Sequence, residues 1–127
     1  MGNDIQTFED LNCWKKARDL RNKISKLVKQ FPKEEKFALT AQIIRASRSV
    51  THNIAEGYGR YHYKENAQFC RTARGSLYEV LDQIIVANDE GYIDEFVTKE
   101  LRNEIIETIR ILNGYINYLV NKGTNND

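Results

Sequence analysis

The sequence predicts an all-α protein, an antiparallel up-down-up-down four-helix bundle, and three observations carry that expectation. Apolar residues recur at spacings of three and four in four long stretches, and none of these shows the two-residue alternation of a strand. The single proline, Pro32, and the glycines Gly57, Gly59 and Gly91 fall between the stretches, where breaks are needed. The connections left over are short, as neighbouring helices of a bundle require. The 127 residues make one domain, 1–127, long enough for a real core and below the size at which chains split.

Residues 1–7 are polar and expected to fray. The first helix is expected over about 10–30, capped by Asp10 or Asn12, with Cys13, Ala17, Leu20, Ile24, Leu27, Val28 and Phe31 on its core side. Because the residue before a proline avoids the helical region and proline suits a first turn, the break falls at Phe31–Pro32. The second helix then spans about 33–57, with Leu39, Ile43, Ala46, Ser47, Val50, Ile54 and Gly57 inward and the glycines Gly57 and Gly59 as its stop. An aromatic loop follows at Tyr58–Tyr63; its G-Y-G has no strand before it and is no nucleotide fingerprint.

Helix three is expected over about 64–89, closed by Gly91, with Phe69, Ala73, Ser76, Leu77, Val80, Leu81, Ile84 and Ala87 buried. Gly75 inside it costs up to about 1 kcal/mol relative to Ala, which a close approach of two helices would offset. Helix four, about 94–121, has the cleanest period: Leu101, Ile105, Ile109, Leu112, Ile116 and Leu119, ahead of a disordered tail at 122–127.

Three surfaces stand out. On helix one, Lys15, Arg18, Asn22, Lys26 and Lys29 form a basic stripe opposite the core, about two dozen ångströms long at 1.5 Å per residue. It reads as a solvated face, a phosphate-contacting surface or a subunit contact. On helix two, Arg45, Ser49, His52 and Glu56 form a polar ridge flanked by the small residues Ala38, Ala41, Thr51 and Ala55, against which a second helix or subunit could sit. On helix four, Ile111, Tyr115 and Tyr118 make a second apolar line, more than a lone bundle needs, and so a candidate subunit interface.

Charge is unevenly distributed. Residues 1–75 hold 15 Lys and Arg against 8 Asp and Glu, whereas residues 76–127 hold 4 against 10, although the whole chain carries only +1. Such polarity serves either nucleic acid or complementary faces on neighbouring subunits.

Catalytic chemistry is not expected, nor is a cofactor. Bundle di-iron sites need Glu-x-x-His pairs, and neither His52 nor His62 follows a glutamate by three. Ser49 and His52 share a face without implied oxyanion donors. Glu56 is expected to pair with Arg45 and Arg60, and Glu79, on the flank of a core face, with Arg45, Arg48 or Arg74. Cys13 and Cys70 read as reduced, buried small hydrophobes of a cytoplasmic protein. No apolar run approaches the ~20 residues that span a bilayer, so no membrane partner is expected.

The run RASRSVTHNIAEG at Arg45–Gly57 adds a family reading, together with FEDLNCW at Phe8–Trp14, FPKEEKFALTAQ at Phe31–Gln42 and ARGSLYEVLDQIIVANDEGYI at Ala73–Ile93. These segments resemble the bacterial proteins encoded by intervening sequences in 23S ribosomal RNA genes, and their relatives, the accessory variability proteins of diversity-generating retroelements. Ile44 stands where a basic residue is usual and Arg48 where a small or apolar one is common; both departures bear on surface charge rather than fold. For the retroelement relatives the resemblance implies a ring-like homopentamer presenting basic surface to nucleic acid (RNA or DNA) and to a reverse transcriptase, and the same assembly is the expectation for this chain. The alternative is a protein–protein scaffold with no nucleic-acid role.

Overall fold

The computed structural model describes residues 5–126, with side chains to Thr124; the fraying expected for residues 1–4 and the final Asp127 lie outside the described residues. Among the described residues there are four α-helices and no strand: α1 (Asn12–Leu27), α2 (Leu39–Tyr58), α3 (Tyr63–Asp89) and α4 (Glu95–Asn126). They surround one apolar core, as in a four-helix bundle. Helix α1 packs on α2 and α4, and α3 packs on the same two, so α1 and α3 lie across the core from each other. The expected inward residues form that core, with Ile24, Ile43, Ile54, Leu77, Ile84, Ile105 and Leu112 sealed completely. Leu27, Phe69, Ser76 and Leu81 are only half-buried.

The ends of the helices depart from expectation in instructive ways. Thr7, placed by sequence among the fraying residues, carries a cap: its side chain accepts from Glu9 N–H, and Asp10 reaches back to Thr7 N–H, a capping box on a short 3-10 turn. Helix α2 starts at Leu39, not at 33, because Lys33–Glu35 form a separate 3-10 turn and Ala38 is non-helical at φ −119°, ψ −106°. The Glu35 carboxylate holds this break by accepting from Leu39 N–H at 3.2 Å and from the Tyr92 hydroxyl at 2.7 Å. That tie overrides the helical propensity of KEEKFA and leaves Phe37 88% exposed.

Gly57 is not a stop signal; it lies inside α2 and is buried. A Cβ there would sit 2.8 Å from Asn66 Oδ1, 2.8 Å from Phe69 Cβ and 3.0 Å from the Asn66 carbonyl oxygen, so its hydrogen lets α2 and α3 touch. Gly59 does mark the stop, as the C-cap of α2, and the chain then reverses at Tyr61, a non-glycine residue at φ +59°.

Helix α3 ends as expected. Gly91, at φ +79°, donates to the Asn88 carbonyl and Tyr92 to that of Ala87, the paired bonds of a Schellman cap. Asp94 caps α4 by accepting from Val97 N–H at 2.9 Å. That helix runs to Asn126 rather than 121, because Gly123 extends the buried row of Leu112, Ile116 and Leu119 by another turn. No close approach explains Gly75, since a Cβ there would meet nothing within 4 Å.

Candidate interaction surfaces

The α1 stripe is built as its spacing predicts. Lys15, Arg18, Asn22, Lys26 and Lys29 are all exposed, because Cys13, Ala17, Leu20 and Ile24 occupy the opposite side of the helix. Arg18 lies 5.6 Å over the Trp14 ring, which is held edge-on by Phe8 at 5.2 Å. Among the described residues no carboxylate forms an ion pair with Lys15, Arg18, Lys26 or Lys29.

Beside the stripe, α1 and α4 leave a groove of about 750 Å³. Its floor includes Leu27, Val97 and Leu101, and its walls carry Lys16, Lys23 and Lys26 against Glu100, Glu104 and Glu107. Lys23 Nζ meets Glu104 at 3.0 Å, and this bond raises the lysine pKa. The hydrogen bond from Arg110 keeps the Glu107 carboxyl below its usual range. Part of the basic–acidic complementarity between the two halves of the sequence is therefore spent inside one chain.

The α2 ridge divides. Arg45 and His52 are exposed, but Ser49 turns toward α3, where its hydroxyl lies 2.9 Å from that of Ser76 and accepts from Asn53 Nδ2 at 2.9 Å. Glu56 pairs with His52 and with Arg60, each at 3.1 Å. Within one chain Arg45 and Glu56 do not pair, because eleven residues of helix separate the two Cα atoms by about 16 Å along the axis. Arg60 also lies 4.9 Å over the Phe69 ring. Glu79 is exposed, accepts from Gln83 Nε2 at 3.3 Å and has no arginine partner among the described residues, while Arg74 donates to Asn113 Oδ1 at 2.8 Å. Glu79 does border the α2–α3 groove that Arg45 also lines, as expected, but it is exposed there, so burial does not demand a counter-charge.

Of the second apolar line on α4, Ile111 and Tyr115 pack against the chain's own core and only Tyr118, stacked on Tyr115 at 6.2 Å, is exposed. The Tyr115 hydroxyl accepts from buried Asn66 Nδ2 at 3.0 Å, and Asn66 Oδ1 accepts from the Cys70 thiol at 3.5 Å. Sequence reading missed this buried polar trio because Asn66 falls in a polar first turn; its i, i+4 relation to Cys70 was the available signal. Burial pushes the Cys13 and Cys70 thiols up to about 12 and raises the Tyr115 hydroxyl as well. Over the trio opens a cleft of about 290 Å³ lined by Tyr58, Tyr61, Tyr63 and Tyr118, among others.

Among the described residues no group of three or more His, Cys, Asp or Glu is placed to hold a metal, and no helix is long and apolar enough to cross a membrane.

The fold and its surfaces define a class: a four-helix all-α protein whose distinguishing features are charged outer faces. Its sequence is matched over residues 9–114 by the family model of the 23S rRNA-intervening sequence protein, and the chain belongs to that family. The match runs from the 3-10 turn before α1 to the middle of α4. Comparison with curated proteins returns no match.

Proposed function

We propose that the protein is a non-enzymatic, cytoplasmic assembly protein. In this reading the helices run up-down-up-down and antiparallel, copies close into a ring-like homopentamer, and the α1 stripe offers nucleic acid a basic surface. No cofactor takes part. The carrying observation is that Lys15, Arg18, Lys26 and Lys29 lie on one exposed helix face and form no ion pair among the described residues. Four cations in a row can follow a phosphate backbone, and Asn22 is the single amide among them, so contact is with phosphate rather than base edges. The likeness to retroelement accessory proteins adds a reverse transcriptase as the protein partner.

The test is RNA binding across a salt series, beside solution mass, for wild type and for the quadruple variant Lys15→Glu, Arg18→Glu, Lys26→Glu, Lys29→Glu. Affinity should fall steeply with salt in wild type through counterion release and be lost in the variant, with mass unchanged. Equal affinity in the two proteins would remove the stripe from the reading. A second reading, a pure protein scaffold in which the basic half of one copy pairs with the acidic half of the next, draws support from the uneven charge of the two halves of the chain. It expects the quadruple variant to lose its assembly instead.

A further inference from the structure

From Gly75 to Thr98 the chain contains six acidic residues and no Lys or Arg. Four of the six, Glu79, Asp82, Asp89 and Glu90, lie on α3 or at its end; all are exposed, and none forms an ion pair among the described residues. Between them Tyr78, Ile85 and Val86 are exposed at 53%, 37% and 37%. Gly75 sits on the same outer face with open space where a Cβ would be, an arrangement that weakens the helix and answers no need within the chain. A face that is single-signed, apolar in patches and notched by glycine has the makings of a contact surface.

The outer face of α2 carries the complement. Arg45 and Arg48 are exposed and have no ion pair among the described residues, and Ala41 and Ala55 flank them with little bulk. Arginine is the cation best suited to such contacts, since its planar fork meets a carboxylate bidentately. The spacings also match. Ala41, Arg45, Arg48, His52 and Ala55 advance by four, three, four and three, and so do Val86, Asp82, Glu79, Gly75 and Thr72 read backwards. Laid antiparallel, the two rows set Arg45 against Asp82, Arg48 against Glu79, Ala41 under Val86 and His52 over the notch at Gly75. Within one chain these residues do not meet: Arg45 and Glu79 border a surface groove between α2 and α3 without bonding.

We infer that the outer face of α3 is the docking surface for a second copy of this chain, which presents the Arg45–Arg48 face of its α2. The two faces differ, so the contact is head-to-tail, the type that closes into a ring when the rotation allows. This deepens the assembly reading given above, on which it rests, and leaves the α1 stripe free.

The test compares solution mass by sedimentation and light scattering at micromolar concentration. Wild type is expected as a multiple of 14.8 kDa. Glu79→Arg with Asp82→Arg, and separately Arg45→Glu with Arg48→Glu, should each fall to 14.8 kDa with helical content retained, and the four changes combined in one chain should restore the wild-type mass. Gly75→Gln should raise the melting temperature of the helix while abolishing assembly, a split that a purely structural glycine would not produce. Wild type at monomer mass overturns this inference and the oligomer reading together. An assembled wild type whose paired variants keep their mass overturns the inference alone, and loss in the α3 variant without loss in the α2 variant shows that another surface is the occupant.

Discussion

Gly57→Ala should destabilise the fold although it replaces a poor helix former with the best one. In an open helix interior that exchange stabilises by about 0.5–1 kcal/mol. At Gly57 the added methyl would lie 2.8 Å from Phe69 Cβ and 3.0 Å from the Asn66 carbonyl oxygen, so α3 itself must move. Overpacking of this kind costs typically 1–3 kcal/mol. The third neighbour, Asn66 Oδ1, belongs to the amide that also donates to Tyr115, and pushing it off that hydroxyl leaves buried groups unmade at about 1–3 kcal/mol. The balance is a net loss of about 1–5 kcal/mol, read from urea unfolding followed by circular dichroism. Gly114→Ala is the internal control, since that glycine lies inside α4 with nothing within 4 Å of its Cβ position, and it should gain up to about 1 kcal/mol. The same substitution thus takes opposite signs at two helical glycines. A Gly57→Ala protein at least as stable as wild type would refute the claim that this residue sets the α2–α3 spacing.

Val50→Asp places a carboxylate where exposure is 1% and should abolish the cooperative melting transition, because the cost rivals the ~5–15 kcal/mol stability of a whole domain. Thr51→Asp should be milder by the same assay: Thr51 is also buried, but Arg21 already donates to its hydroxyl at 3.1 Å and can meet the new charge. Tyr115→Phe removes the acceptor of the Asn66 amide and should lower the unfolding free energy by about 1–2 kcal/mol without changing helical content. Cys13 and Cys70 should resist alkylation at pH 8 in the folded protein and both react in denaturant. Their folded pKa values, about 12, exceed the ordinary thiol value, so the unfolded chain loses its protons first and this contribution to stability declines as pH rises from about 9 toward 12.

What could be read from sequence follows physical locality. Core rows such as Leu101–Ile105–Leu112–Leu119 were legible because burial imposes its period directly on the residues. The Gly91 cap was legible because a left-handed residue after a helix calls for glycine. The start of α2 was not, since it depends on Glu35 finding Tyr92, a partner 57 positions away. Gly57 looked like a terminator for the same reason: its role is set by Asn66 and Phe69 on another helix. On the surface, the α1 stripe was read correctly as exposed, whereas Ser49, Ile111 and Tyr115 were drawn inward by Ser76, the core and Asn66.

The Glu35–Tyr92 bond has one more implication. Tyr92 also packs its ring 5.7 Å from Phe31, and its hydroxyl, held by the Glu35 carboxylate, keeps its proton to about 12. The α1–α2 and α3–α4 connections, which share no sequence neighbourhood, are therefore fastened to each other. Segments joined in this way open as one cooperative unit rather than separately. Amide exchange at Leu39 and at Tyr92 should then proceed at matched rates in the native protein, and Tyr92→Phe should accelerate both. Among the described residues the α2–α3 turn at Tyr61 shows no bond to another connection, and it should exchange on its own, earlier schedule.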